Sequence, residues 1–128
     1  LGRSLLAAAL GAVDGFRPMT PLLGRILDEY GGSEGVIAFS LAARPVDFAA
    51  LAPLAVGSDD PAAQAVMAGA VADVVASIAV LQGDPSLPVT FIGGLGPAYA
   101  ARLAGRWEIA PPQGSALDGA LMLAREAA

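Results

Sequence analysis

One ten-residue stretch, Pro88-Val-Thr-Phe-Ile-Gly-Gly-Leu-Gly-Pro97, restricts this chain more than any other. Val89, Thr90, Phe91 and Ile92 are β-branched or aromatic and read as a buried strand. Two glycines then stop the run. Pro97 suits the first turn of a helix over residues 98–103, where its missing N–H would have had no intrahelical acceptor. In open α/β sheets, ligands gather at the carboxyl ends of strands, where bare backbone and helix N-termini face a crevice. The turn is therefore the first candidate site, and a turn that needs its glycines for geometry alone is the competing reading.

Composition removes most other chemistry. The 128 residues fit one ordinary domain, and a 55% hydrophobic content is ample for a core. The net charge is −5, and the seven basic residues are scattered arginines with no lysine, so no basic face can neutralise a run of phosphates and nucleic-acid binding is not expected. Histidine and cysteine are absent. Without them, and without lysine, Ser-His-Asp and Cys-His catalysis, the P-loop lysine, Schiff bases and most zinc sites are unavailable. No catalytic and no metal-ligating residue is assigned within the chain. The lack of cysteine leaves the compartment open, although a reducing cytoplasm fits.

The ends and the long apolar stretch carry further expectations. No initiator Met and no signal pattern stand at the start, and the chain reads like the middle of a longer protein. Residues 61–82 are long enough to span a bilayer, but Asp73 sits at their centre, and a soluble helix is expected rather than a membrane span.

Helical spacing organises the rest. Residues 2–14 carry Leu5, Leu6, Ala9, Leu10 and Val13 on one face, with Gly15 as the stop. Thr20 and Pro21 are a cap and first-turn pair opening residues 22–30, whose buried set is Leu22, Leu23, Ile26, Leu27 and Tyr30. The neighbouring acids Asp28 and Glu29 diverge by about a quarter turn and read as a solvated face. Ser33 is expected to cap a helix to Ala42 with Val36, Ile37 and Leu41 inward, and Asp47 to cap one over residues 48–56 that Pro53 delays or kinks. Asp59 and Asp60 are assigned to capping the helix over residues 61–82. There Met67, Val71, Val74, Ile78 and Leu81 form a seam that must be buried, making this the expected central helix. Beyond the glycine turn, Arg106-Trp107-Glu108-Ile109 reads as a second short strand, parallel to the first through the intervening helix. Ser115 or Gly114 then caps a last helix over residues 116–127, where Leu117, Leu121 and Leu123 supply bulk and Ala116, Gly119 and Ala120 form a small-residue strip. A glycine inside a helix costs about 1 kcal/mol relative to alanine, and a tight helix crossing is the usual compensation.

Phe91-Ile-Gly-Gly-Leu-Gly-Pro97 and Pro111-Pro-Gln-Gly-Ser-Ala-Leu-Asp-Gly-Ala-Leu-Met-Leu-Ala124 together resemble the C-terminal part of N-acetylglucosamine and glucosamine kinases. These belong to the BadF/BadG-type group of the actin-like ATPase superfamily. Leu1-Gly2-Arg3, the Ala/Leu helix and Asp14-Gly15 resemble the segment after the family's second phosphate loop, so the resemblance runs end to end. It implies an α/β architecture: a predominantly helical fragment of a ribonuclease-H-like domain with a short parallel sheet. Residues 1–128 would be the nucleotide-side, C-terminal lobe of a two-lobed enzyme. By resemblance Gly93, Gly94, Leu95 and Gly96 lie against the adenosine of ATP, and Ala116, Gly119 and Ala120 cross a helix of the other lobe at the hinge. The first phosphate loop, the catalytic aspartate, most sugar-binding residues and the Mg²⁺ ligands would precede Leu1, so the chain alone is expected to be inactive. ATP, Mg²⁺ and an amino sugar are the implied ligands of the full-length protein. The resemblance also suggests a cytoplasmic homodimer.

Two other functions compete. A dehydratase-activating ATPase would share the fold, but it carries cluster-binding cysteines, and their absence here favours the sugar kinase. A non-catalytic helical interaction domain has only the shortage of reactive side chains in its favour. A dinucleotide-binding reading of Gly94-Leu-Gly96 fails because the third glycine position falls on Tyr99.

Overall fold

The Thr20 hydroxyl accepts a hydrogen bond from the Leu23 N–H at 3.3 Å, and Pro21 stands in the first turn, so the capping pair opens α2 (Pro21–Tyr30) as its chemistry dictates. The computed structural model describes residues 1–126 and divides into two compact units, Leu1–Val75 and the part from Ala76 onward. In the first unit α1 (Gly2–Val13), α2 and α3 (Gly32–Ala42) pack on one another, with α4 (Pro45–Ala49) against α1. Leu5, Leu6, Leu23, Ile26 and Val36 are almost wholly withdrawn from solvent. Each such side chain contributes about 1.5–3 kcal/mol of transfer free energy. Tyr30, Phe39 and Phe48 extend this core as edge-on rings, their centroids 4.8 and 5.7 Å apart. The Arg3 guanidinium closes the series 4.4 Å above the Phe48 ring.

Several expectations change here. α3 begins at Gly32 after Gly31, not at a Ser33 cap, and Ile37 and Leu41 are exposed while Phe39 makes the inward contact. This helix is apolar all round, so spacing alone does not say which residues turn inward. The helix expected over residues 48–56 divides. α4 ends at Ala49, and Pro53 allows only a single 3₁₀ turn, Ala52–Leu54. Asp47 is not a cap in front of the helix; it lies inside the first turn of α4 and accepts from the Arg44 N–H at 2.8 Å.

Asp60 reaches furthest of the capping residues. One carboxylate oxygen accepts from Ala62 N–H at 2.8 Å, at the start of α5 (Pro61–Leu81), and the other from Leu22 N–H at 2.9 Å, in the first turn of α2. Partial burial pushes its pKa up, but the hydrogen bonds from Leu22, Thr20, Ala62 and Ala63 outweigh this and leave it below the ordinary carboxylate value. One side chain therefore ties together two helix starts that are far apart in sequence.

α5 is not the central helix. Ala62, Ala63 and Met67 enter the core, whereas Val71, Val74 and Ile78 are half-buried and Leu81 is exposed. The helix is long and apolar enough, by length and composition, to cross a membrane. α1, α2 and α3 hold the centre because their apolar residues share one side, while those of α5 are spread around it.

The second unit contains α6 (Gly96–Leu103) and α7 (Ala116–Glu126). Ala127, the last residue expected in that helix, lies outside the described residues. No strand forms among the described residues. The expected run over residues 89–92 and its partner are reduced to one parallel bridge between Val89 and Ile109. Pro88 lacks an N–H, the glycine turn follows at once, and Pro111-Pro112 cuts the partner short, so a longer ladder has no room.

Candidate functional site

The Val89 bridge positions the candidate site. Val89 N–H donates to the Glu108 carbonyl at 2.8 Å, and Ala110 N–H donates to the Val89 carbonyl at 3.0 Å. Upstream, the Gln82 side chain fixes the connection: its Oε1 accepts from Leu87 N–H at 2.7 Å and its Nε2 donates to the Leu87 carbonyl at 3.0 Å. Sequence reasoning gave Gln82 no role beyond marking the end of the long helix. Its place one residue past the last turn of α5, before a Pro-rich connection, is the signal that could have found it.

The turn itself is tight. Gly93 has φ +86°, the left-handed region that L side chains rarely adopt, and Gly96 N–H donates back to the Gly93 carbonyl at 3.0 Å. A side chain on Gly96 would stand 3.3 Å from the Phe91 backbone, so the glycine there permits the close approach. Gly94 has neither demand: its φ is not positive and space is open around it. The φ > 0 requirement of the motif thus falls on Gly93. The Phe91 ring lies nearly parallel to Tyr99 on α6, with centroids 6.1 Å apart.

Beside the turn lies a groove of about 730 Å³. Phe91, Ile92 and Gly93 line it from the bridge side, Gly96, Pro97 and Ala100 from α6, and the segment from Ile109 to Pro112 with Ser115 and Ala116 from the approach to α7. Its size falls within the usual range of small-molecule sites, and its walls are mostly apolar. Of the four residues expected to face a nucleoside, Gly93 and Gly96 line the groove. Exposed Gly94 and half-buried Leu95 sit in the turn between them, outside the lining.

Of the hinge residues, Ala116 lines the groove, and Gly119 and Ala120 are exposed farther along α7. Nothing lies within 4 Å of the space a Gly119 side chain would take, so no tight crossing compensates this glycine among the described residues. Leu117, Leu121 and Leu123, assigned there to bulk, are 68%, 49% and 65% exposed.

α7 opens on a reciprocal cap. Ser115 N–H and Oγ–H both donate to the Asp118 carboxylate at 2.7 Å, and Asp118 N–H donates to Ser115 Oγ at 3.3 Å. The side-chain and backbone bonds from Ser115 hold the Asp118 carboxyl below its ordinary value. A negative charge already satisfies this helix start, so the groove is better suited to a neutral flat group than to a phosphate. Ser115 was foreseen as a cap, but its return partner Asp118 was missed despite the S-x-x-D spacing.

No family model and no curated protein matches the chain. Among solved structures it matches a Chromobacterium violaceum protein provisionally described as an N-acetylglucosamine kinase. The TM-score is 0.80 and the identity 35%, over 95% of this chain and 45% of that one. The chain thus spans less than half the length of the protein it matches. In fold and in sequence it is the counterpart of one part of an N-acetylglucosamine kinase-type protein, as Phe91–Pro97 and Pro111–Ala124 led one to expect.

Proposed function

We propose that this chain is the nucleotide-side, C-terminal lobe of a two-lobed cytoplasmic kinase of the BadF/BadG type, which converts N-acetylglucosamine or glucosamine to its 6-phosphate with ATP. The observation that supports it most is the similarity over 95% of the chain, combined with an apolar groove built on the glycine turn. The nucleoside of ATP fits that groove. Gly93 and Gly96 bring bare backbone to its edge, and Phe91, Ile92, Pro97 and Ala100 offer apolar contact. The lining contains no carboxylate, so Mg²⁺ would be held by residues outside the chain. ATP supplies the phosphoryl group when bound. The residues of this chain hold its nucleoside and exclude water from that end, and the other lobe brings the sugar hydroxyl in line with the γ-phosphate. Ala116, Gly119 and Ala120 are the hinge contacts on which the lobes would close.

Ala100 provides the test because it lines the groove from a helix without taking part in the turn. In the full-length protein, Ala100→Leu is expected to weaken ATP about tenfold or more, the effect of roughly 1–3 kcal/mol of overpacking, while sugar affinity and melting temperature stay put. Unchanged ATP affinity in calorimetric titration of a stably folded variant would remove the groove from the nucleotide site.

A further inference from the structure

The groove lining has one notable shortage, side chains able to read a base edge. Of its thirteen lining residues, Ser115 alone carries a side-chain hydrogen-bonding group. That hydroxyl is already engaged, donating to the Asp118 carboxylate at 2.7 Å and accepting from Asp118 N–H at 3.3 Å. The backbone is similarly committed at several positions. Pro97, Pro111 and Pro112 have no N–H, and those of Gly96, Ala110 and Ser115 donate to Gly93, Val89 and Asp118. Phe91, Ile92 and Ile109 remain as apolar surface.

From this we infer that, granted the nucleotide reading above, the site holds its purine by face and edge contact without reading the exocyclic group, so the enzyme accepts guanosine and inosine triphosphates alongside ATP. Adenine and guanine differ mainly in the groups at their C2 and C6 positions. Sites built to hydrogen-bond such a group reject the wrong partner by about 10⁴–10⁵, because a buried polar group of the site is left unpaired. An apolar pocket has no such group to strand, and shape alone selects by about a hundredfold at most. Tolerance among purines is the consequence.

Calorimetric titration of the full-length protein with ATP, GTP, adenosine and tripolyphosphate, each nucleotide with Mg²⁺, tests this. The expected result is ATP and GTP affinities within about a hundredfold of each other, both tighter than tripolyphosphate. GTP weaker than ATP by more than that factor would overturn the inference while leaving nucleotide binding in place. If ATP and GTP bind no more tightly than tripolyphosphate and adenosine does not bind at all, the groove is not a nucleoside site, and the underlying functional reading fails with the inference.

Discussion

Gly93 and Gly94 are adjacent, exposed and identical in side chain, yet the backbone demands glycine at only one of them. At Gly93 the φ of +86° makes any other residue strained. Gly93→Ala should therefore lower stability by about 1–2 kcal/mol. Gly94→Ala should leave it within about 0.5 kcal/mol, and paired denaturant melts separate the two. Equal losses would mean that the turn does not have the geometry described. Asp60 makes the second residue-scale prediction. Asp60→Ala removes the cap of α5 and the partner of the Leu22 N–H in α2, for an expected loss of about 2–3 kcal/mol. Because its folded pKa is depressed, the wild-type carboxylate contributes fully above its unfolded value. That contribution disappears as pH falls through the folded one. The variant should lose that part of the acid limb in a melting series from neutral pH downward. Sequence reading assigned Asp60 to capping one helix; its bond to Leu22, 38 positions away, depended on tertiary packing that spacing does not encode.

Helix existence was legible in the sequence wherever chemistry marked both ends. Thr20-Pro21 and Ser115 opened helices where the residues required, and Pro45 and Pro53 broke the chain where a missing N–H forbids continuation. Facing was legible only when apolar residues occupied one side. α2 is amphipathic and buried Leu22, Leu23 and Ile26 as expected, whereas α3 and α5 are apolar around their circumference and turned otherwise. The strand failed for a related reason: β-branched composition signals a pleated, packed surface, and a ladder needs partners that residues 89–92 meet only once. Where the turn sits could be read from its glycines; which other segments complete the groove could not, because Ile109 and Ala116 arrive there through the fold. The exposed apolar residues of α5 and α7 lead to an element-scale prediction. If these helices meet another lobe, amides around Ile78–Leu81 and Leu117–Leu123 should exchange more slowly in the full-length protein than in the isolated chain. Identical exchange in the two would contradict the hinge assignment. The cap of α7 can be tested in the isolated chain as well: Asp118→Ala should raise amide exchange in its first turn without affecting α1 to α3.

At the scale of the whole molecule, the chain combines a well-buried helical unit with a second unit whose groove is apolar and has no groups for phosphate transfer. Adenosine contacts alone leave a triphosphate without cationic or metal partners, so the isolated chain should bind ATP weakly at most and transfer nothing. Phosphotransfer from ATP to N-acetylglucosamine and to glucosamine, followed as sugar-dependent ADP release by the full-length protein and by the isolated 128-residue chain side by side, tests the central claim most directly. The account predicts sugar 6-phosphate and stoichiometric ADP from the full-length protein with at least one of the two sugars, and none from the isolated chain. Turnover by the isolated chain, or ATP hydrolysis by the full-length protein that neither sugar stimulates, would contradict it.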